Sequence, residues 1–171
     1  MASTRRVFLN ALIGLAGAGA ARAGTGTLPP ASGKPILTIS GKISVCNAAD
    51  KAEFDRDLLE SLGTSTLVTS TPWHDGQVRF EGVLMTRLMA TVGATGDTVI
   101  ATALNDYETR IPVADFAEFG VLLALKRDGA YMPVRDKGPL FIVYPFDSNP
   151  ALRTQKFYSR SAWQLSRLVV K

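Results

Sequence analysis

Short apolar runs separated by turn residues are the feature that most constrains the fold of this chain. β-rich runs occupy residues 35–44, 97–104, 121–126, 140–144 and 162–170. Amphipathic helical patterns occupy residues 50–62, 83–92 and 114–118. Strands and short helices mix without the regular alternation of βαβ units, so the sequence predicts an α+β fold.

Capping and turn residues place some of these elements more closely. Asp50 followed by Glu53 predicts a capping box that begins the first helix, and Gly63 is expected to end that helix. Asp128-Gly129 between two apolar runs predicts a β-hairpin. Residues 70–76 (STPWHDG) are predicted to form a loop after a short strand.

The first 23 residues have the pattern of an export signal. Arg5 and Arg6 precede an apolar run at 7–20, and residues 21–23 (ARA) form an A-x-A cleavage site. Residues 4–9 (TRRVFL) are similar to the twin-arginine export motif, with a general secretory signal as the alternative. Either signal leads to the periplasm. Residues 24–34 are predicted to be a flexible lead-in and 35–171 a single domain.

The charge of the chain excludes some classes of partner. The full sequence carries a net charge of +4, and three of its 19 basic residues are Arg5, Arg6 and Arg22 of the predicted signal. Without those three, 16 basic residues face 15 acidic ones. A nearly neutral domain gives no electrostatic reason to expect binding to nucleic acid or to an anionic membrane. Cys46 is the only cysteine, which excludes an internal disulfide.

Four segments of the chain carry motifs of one known family, in the same order. They are FEGVLMTRLMATVGATG (80–96), LNDYETRIP (104–112), LLALKRDGAYMPVRDKGPLFIVYP (122–145) and SRSAWQLSRLVV (159–170). Together they resemble the sulfite-oxidase-type, molybdopterin-binding oxidoreductase domain. The resemblance implies an α+β fold of mixed β-sheets with short flanking helices, and a cleft for a pterin-based cofactor.

Three departures from that family concern the cofactor. Its active enzymes place a molybdenum-binding cysteine in the segment corresponding to residues 64–83, where this chain has Thr69, Ser70 and Thr71 and no thiolate. Phe141 stands where an arginine is expected, and Ala162 where a lysine is usual. The contacts that hold the cofactor phosphate are therefore partly missing. Cys46 lies outside the segment and is predicted to be a small buried apolar residue.

Two residues of the cysteine-free segment are candidates for contacting a ligand. Trp73 either stacks on a flat heterocycle or covers the core as a rim residue. His74 is either a hydrogen-bond donor in the pocket or an exposed loop residue. Because His74 is the only histidine, a metal site with several histidines is excluded.

The resemblance implies that Asn105, Asp106 and Tyr107 face the same pocket. Their amide and carboxylate groups could pair with the alternating donors and acceptors along the edge of a pterin ring. The alternative is that Asn105 and Asp106 only stabilise a turn.

Four further candidates come from the last part of the chain. Arg135 and Lys137 precede the Gly-Pro-Leu motif and are expected either to line the cleft or to lie in a solvated charged loop. Tyr158 and Arg160 could close the cleft near the end of the chain. Trp163 is expected to belong to the core.

The resemblance is strongest to the small, exported, cysteine-lacking members of the family. It implies a periplasmic pterin-binding protein, with a reduced pterin such as a tetrahydropterin as ligand and molybdopterin as the second choice. The expected partner is a membrane-bound signalling protein, either a cyclic-di-GMP enzyme or a sensor kinase. The missing thiolate argues against an enzyme. The alternatives are a molybdopterin-dependent oxidoreductase or its subunit, and an accessory protein with an empty cleft.

Overall fold

The computed structural model describes residues 27–171. The predicted export signal (1–23) and the beginning of the predicted lead-in lie outside these residues. In chain order the strands are β1 (Leu37–Gly41), β2 (Ala52–Phe54), β3 (Ser65–Thr71), β4 (His74–Leu84), β5 (Thr98–Ala103), β6 (Glu108–Pro112), β7 (Leu122–Arg127), β8 (Ala130–Tyr131), β9 (Phe141–Val143) and β10 (Leu165–Val170). The α-helices are α1 (Arg56–Ser61), α2 (Met85–Thr91), α3 (Ala114–Phe119) and α4 (Gln155–Arg160).

The strands form two sheets, of which the first is mixed and the second is antiparallel. The first sheet has the order β2-β1-β10-β5-β6, and only its β1–β10 pair is parallel, with Thr38 opposite Arg167. The second sheet has the order β3-β4-β7-β8, and β9 pairs with β7 beside β8. The predicted α+β class is confirmed. Within residues 27–171 every helix is too short or too polar to span a lipid bilayer.

Strands β7 and β9 of the second sheet are buried on both faces. Leu123 and Leu125 of β7 join a core shared with the first sheet, whereas Leu122 and Ala124 pack into a smaller cluster on the opposite face. This alternation follows from the two-residue period of a β-strand. Gly82 of β4 lies against β7, where an added Cβ would come within 2.0 Å of the Leu123 carbonyl oxygen. Only glycine fits at that position.

Three expectations from the sequence need correction. Asp50 does not begin the first helix: Asp55 is its N-cap, and the Asp55 carboxylate accepts a hydrogen bond from the Leu58 amide at 2.8 Å. Residues 52–54 form β2 instead, because this strand buries Phe54 completely. Residues 70–76 are not a loop but the tight end of the β3–β4 hairpin, which turns at Pro72-Trp73. Cys46 is exposed rather than buried.

Other local predictions are confirmed. The Asp128-Gly129 hairpin connects β7 to β8, and both turn residues have positive φ, as this type of hairpin requires. Asn105-Asp106 is the turn between β5 and β6. Helix α4 has no counterpart among the elements predicted from the sequence.

Candidate functional site

A cavity of about 360 Å³ opens where the β3–β4 turn, the β5–β6 turn and helix α4 meet. We call it the aromatic cavity. Its lining residues are Pro72, Trp73, Ala103, Asn105, Tyr107, Gln155, Tyr158, Ser159, Ser161, Ala162 and Trp163. Segments that are distant in the sequence thus form its wall. They contribute residues from two turns, from helix α4, from the end of β5 and from the segment before β10.

Trp73 is the centre of the aromatic wall. Its ring makes edge-to-face contacts with Trp163, Phe141 and Tyr158, with centroid distances of 5.1, 5.7 and 6.0 Å. It also packs against both hydrophobic clusters. Trp73 therefore covers the core and also lines the cavity, and its stacking on a flat heterocycle stays a prediction.

The β5–β6 turn supplies the polar wall. The Asn105 side-chain oxygen accepts a hydrogen bond from the Tyr107 amide at 3.2 Å, which is Asx-turn chemistry. The Asn105 amide nitrogen stays available to a ligand. The Tyr107 hydroxyl donates to the Ser159 carbonyl of α4 at 2.9 Å and so bridges the cavity wall. Asp106 has a φ of 62°, is exposed and does not line the cavity.

Three aromatic donors in the wall are free to meet a ligand. Within residues 27–171 the indole nitrogens of Trp73 and Trp163 and the hydroxyl of Tyr158 have no protein hydrogen-bond partner. None of the three is sealed from solvent, since no side-chain polar atom in that range is both fully buried and unpaired. A molecule in the cavity could accept hydrogen bonds from these groups.

Arg160 does not line the cavity. Its guanidinium donates to the Asp115 carboxylate at 2.7 Å, and the Tyr144 hydroxyl donates to the same carboxylate oxygen at 2.8 Å. Burial raises the pKa of Tyr144 well above its usual range, and the adjacent Asp115 carboxylate raises it further. The arginine predicted to close the cleft is instead held in a largely buried ion pair.

Thr69, Ser70 and Thr71, among which the family resemblance places the position of the cysteine, form hydrogen bonds within the protein. The Ser70 amide donates to Asp147 at 2.7 Å, and the Ser70 hydroxyl donates to the same carboxylate. The Thr69 hydroxyl oxygen accepts from the Asp147 amide at 3.1 Å. The Thr71 hydroxyl contacts His74 Nδ1 at 2.7 Å. This strand end is thereby fastened to the segment after β9.

His74 lies on the opposite side of the Trp73 turn, in an open cleft of about 580 Å³. Its Nε2 is 3.1 Å from the Arg127 guanidinium, which can only donate, so Nε2 accepts and Nδ1 carries the proton. Burial lowers the pKa of His74, and the Lys137 and Arg127 charges lower it further. Arg127 is itself paired with Asp136 through two hydrogen bonds. His74 is therefore a neutral, oriented side chain outside the aromatic cavity.

The remaining candidates are dispersed. Arg135 is exposed and does not line the aromatic cavity. The Lys137 ammonium lies 5.9 Å from the centroid of Trp163, beside the cavity wall. The structure thus brings together Trp73, Asn105, Tyr107 and Tyr158 of the residues predicted for the site. It adds seven wall residues that were not predicted to bind a ligand, namely Pro72, Ala103, Gln155, Ser159, Ser161, Ala162 and Trp163.

Comparison with known protein families covers most of the domain described above. Residues 42–148, more than half of the chain, match the model of the oxidoreductase molybdopterin binding domain. The chain belongs to this family. The family resemblance inferred from the sequence is therefore confirmed. No curated protein matches the chain.

The aromatic cavity of this molybdopterin-binding-type domain does not fit a molybdenum centre. Its lining contains no cysteine, and the exposed Cys46 is not among the wall residues. Residues 27–171 contain no cluster of three or more His, Cys, Asp or Glu side chains that could hold a metal ion. A thiolate is the soft ligand that a molybdenum site of this family needs. The residues of the wall are suited to an organic ring system and not to the metal.

Asp147 should make a measurable, pH-dependent contribution to stability. Hydrogen bonds from the Ser70 hydroxyl and amide, and then from Gln77 and Arg153, hold the pKa of Asp147 well below its usual range. Because the pKa of Asp147 is lower in the folded than in the unfolded state, the carboxylate stabilises the fold at pH values above its unfolded pKa of about 3.9. This stabilisation is lost as the pH falls below that value toward the folded pKa. We expect Asp147→Asn to lower the free energy of unfolding by about 2 kcal/mol at pH 7.

Urea denaturation at pH 7 and near pH 3 checks this expectation. The difference between wild type and Asp147→Asn should narrow at the lower pH, whereas the exposed control Asp50→Asn should have little effect at either pH. A difference that stays constant between the two pH values would contradict the role of the ionised carboxylate.

Proposed function

We propose that this protein binds a pterin in the aromatic cavity and has no redox chemistry of its own. One observation carries the proposal: a molybdopterin-binding-type domain has an aromatic, hydrogen-bonding cavity with no cysteine in its wall. The hydroxyl groups of Ser70 and Thr71, where the family resemblance implies a thiolate, are bonded to Asp147 and His74. The size of about 360 Å³ is in the range of small-molecule sites. A bicyclic heterocycle suits such walls.

The wall offers both kinds of contact that a pterin needs. Trp73 and Trp163 present aromatic surface and indole donors to a flat ring. The amides of Asn105 and Gln155 offer donors and acceptors for the ring edge. A site that hydrogen-bonds a ring edge in a partly dry cavity discriminates strongly against analogues lacking those groups. The ligand we propose is a reduced pterin, such as a tetrahydropterin.

We further propose that ligand binding is reported to a partner. Leu104 and Tyr107 flank the cavity and expose about half of their side chains, at 52% and 45%. A pterin that orders this turn would change the surface that a partner contacts. The affinity for the pterin and the affinity for the partner would then be coupled. The partner would be a membrane-bound signalling protein facing the periplasm, either a cyclic-di-GMP enzyme or a sensor kinase. The export signal predicted at residues 1–23 would place the protein there.

Titration with unconjugated pterins tests the proposed function. We expect saturable, one-to-one quenching of tryptophan emission and a rise in Tm. At a free pterin concentration 100 times the Kd, the added stability should be about 2.7 kcal/mol. Protein prepared from its native compartment should also release a compound that fluoresces as a pterin after oxidation. Failure of all pterin redox forms to bind would contradict the proposal.

A molybdopterin-dependent oxidoreductase, or a subunit of one, is the second candidate, because the matching family is of that type. Elemental analysis of protein from its native compartment separates the two. Stoichiometric molybdenum would favour the oxidoreductase and contradict the pterin-binding protein. Molybdenum well below one atom per chain, together with released pterin, is the outcome we expect.

A further inference from the structure

We infer that the aromatic cavity selects an uncharged pterin and discriminates against phosphorylated ones, molybdopterin included. This inference rests on the proposed function and adds the chemical class of the ligand. It starts from the lining, in which none of the eleven residues is Lys, Arg, Asp or Glu. Every polar group in the wall is a neutral hydroxyl, amide, indole or backbone group.

Two arginines near the wall are held in ion pairs, and two lysine ammonium groups lie over aromatic rings. Arg160 adjoins two wall residues in the sequence, but its guanidinium is bound to Asp115 at 2.7 Å. The Lys156 and Lys137 ammonium groups lie over aromatic rings, 5.2 Å from the Phe157 centroid and 5.9 Å from the Trp163 centroid. Arg127, in the cleft on the other side of Trp73, is held by Asp136. Turning either arginine toward a phosphate would break an ion pair.

The surroundings of the cavity are unfavourable for an anion. Asp106 is exposed in the turn between two wall residues, and Glu108 is exposed one residue beyond Tyr107. The neighbouring cleft, although it contains Arg127, is also lined by Asp75 and Asp128. Carboxylates therefore lie in the β5–β6 turn on one side of the cavity and in the cleft that shares Trp73 on the other, and they oppose the approach of a further negative charge.

Entering the cavity costs a phosphate ester more desolvation free energy than it costs an uncharged pterin. A phosphate leaving water needs cationic or multiple charge-assisted donors to offset its desolvation. The indole and amide donors of this wall give single neutral hydrogen bonds, which suit a neutral ring. An uncharged pterin loses little on entering the cavity, whereas a phosphate ester loses hydration without a matching partner.

Paired titrations with neopterin and neopterin monophosphate test this inference on the full chain. We expect the monophosphate to bind about tenfold more weakly, or weaker still, at low ionic strength. The variant Gln155→Lys introduces a cation at the exposed side of the wall. Whatever this substitution does to the affinity for neopterin, the ratio of the two Kd values should fall toward one. The matched variant Gln155→Met should leave the ratio high.

The outcomes separate this inference from the proposed function. Equal Kd values for the two compounds in the wild type would overturn the charge selectivity and leave pterin binding intact. Tighter binding of the monophosphate than of neopterin would reverse the proposed charge selectivity and favour molybdopterin as the ligand. If neither compound binds, in its oxidised or its tetrahydro form, both proposals are overturned. A high ratio in the wild type that falls only in Gln155→Lys supports the inference.

Discussion

Replacing Trp73 by alanine should abolish measurable pterin binding and lower the free energy of unfolding by about 3 kcal/mol. The indole packs edge-to-face against Trp163, Phe141 and Tyr158 and joins the two hydrophobic clusters. Its removal leaves a void in the core and deletes the aromatic surface from the cavity wall. Isothermal titration and urea denaturation measure the two effects separately.

A graded series separates packing from recognition at Trp73. Trp73→Phe keeps most of the aromatic contact but removes the indole donor, so we expect a smaller loss of stability and at least a several-fold weaker pterin affinity. Tyr131→Ala is the control, because Tyr131 is an exposed aromatic residue outside the cavity. Unchanged pterin affinity in folded Trp73→Ala would show that the pterin binds elsewhere.

The second large effect concerns the ion pair that takes Arg160 away from the cavity. Asp115 is only 6% exposed and accepts hydrogen bonds from Arg160 and Tyr144. Removing one partner of a buried pair leaves the other charge uncompensated, so we expect Asp115→Ala to lower the free energy of unfolding by about 3–5 kcal/mol. Chemical denaturation at neutral pH measures it.

A double-mutant cycle shows whether the charge pair is responsible. We expect the double variant Asp115→Ala, Arg160→Met to be more stable than the sum of the single effects predicts, because no unpaired charge remains. Tyr144→Phe removes one hydrogen bond and no charge, and should cost about 1 kcal/mol. Additive single effects would mean that Asp115 and Arg160 stabilise the fold independently.

Local signals in the sequence predict the structure correctly where an element depends only on residues close to it in the sequence. The Asp128-Gly129 hairpin and the Asn105-Asp106 turn depend on backbone conformations that these residues favour, and both are present. The capping box at Asp50 failed because a tertiary interaction prevailed. Phe54 gains more by burial in β2 than a longer helix would gain from its cap.

The site was only partly predictable for the same physical reason. Asn105 and Tyr107 lie in a segment with a family motif, and Trp73 lies in the cysteine-free segment 64–83. Gln155 and Ser159 belong to a short helix of which only Phe157 is buried. Such a helix has almost no hydrophobic period to detect. Arg160 was assigned to the cleft because its partner, Asp115, is 45 positions away in the sequence and gives no local sign of the pairing.

The position of β10 has a consequence for how the molecule is made. This strand lies between β1 and β5, so the centre of the first sheet is filled by the segment that leaves the ribosome after all the others described here. Until residue 170 has emerged, β1 and β5 have no neighbour to join them, and their apolar faces stay open. Contacts of this sequence separation form slowly. The nascent chain should therefore remain sensitive to protease and dependent on chaperones until β10 has been synthesised and has paired with β1 and β5.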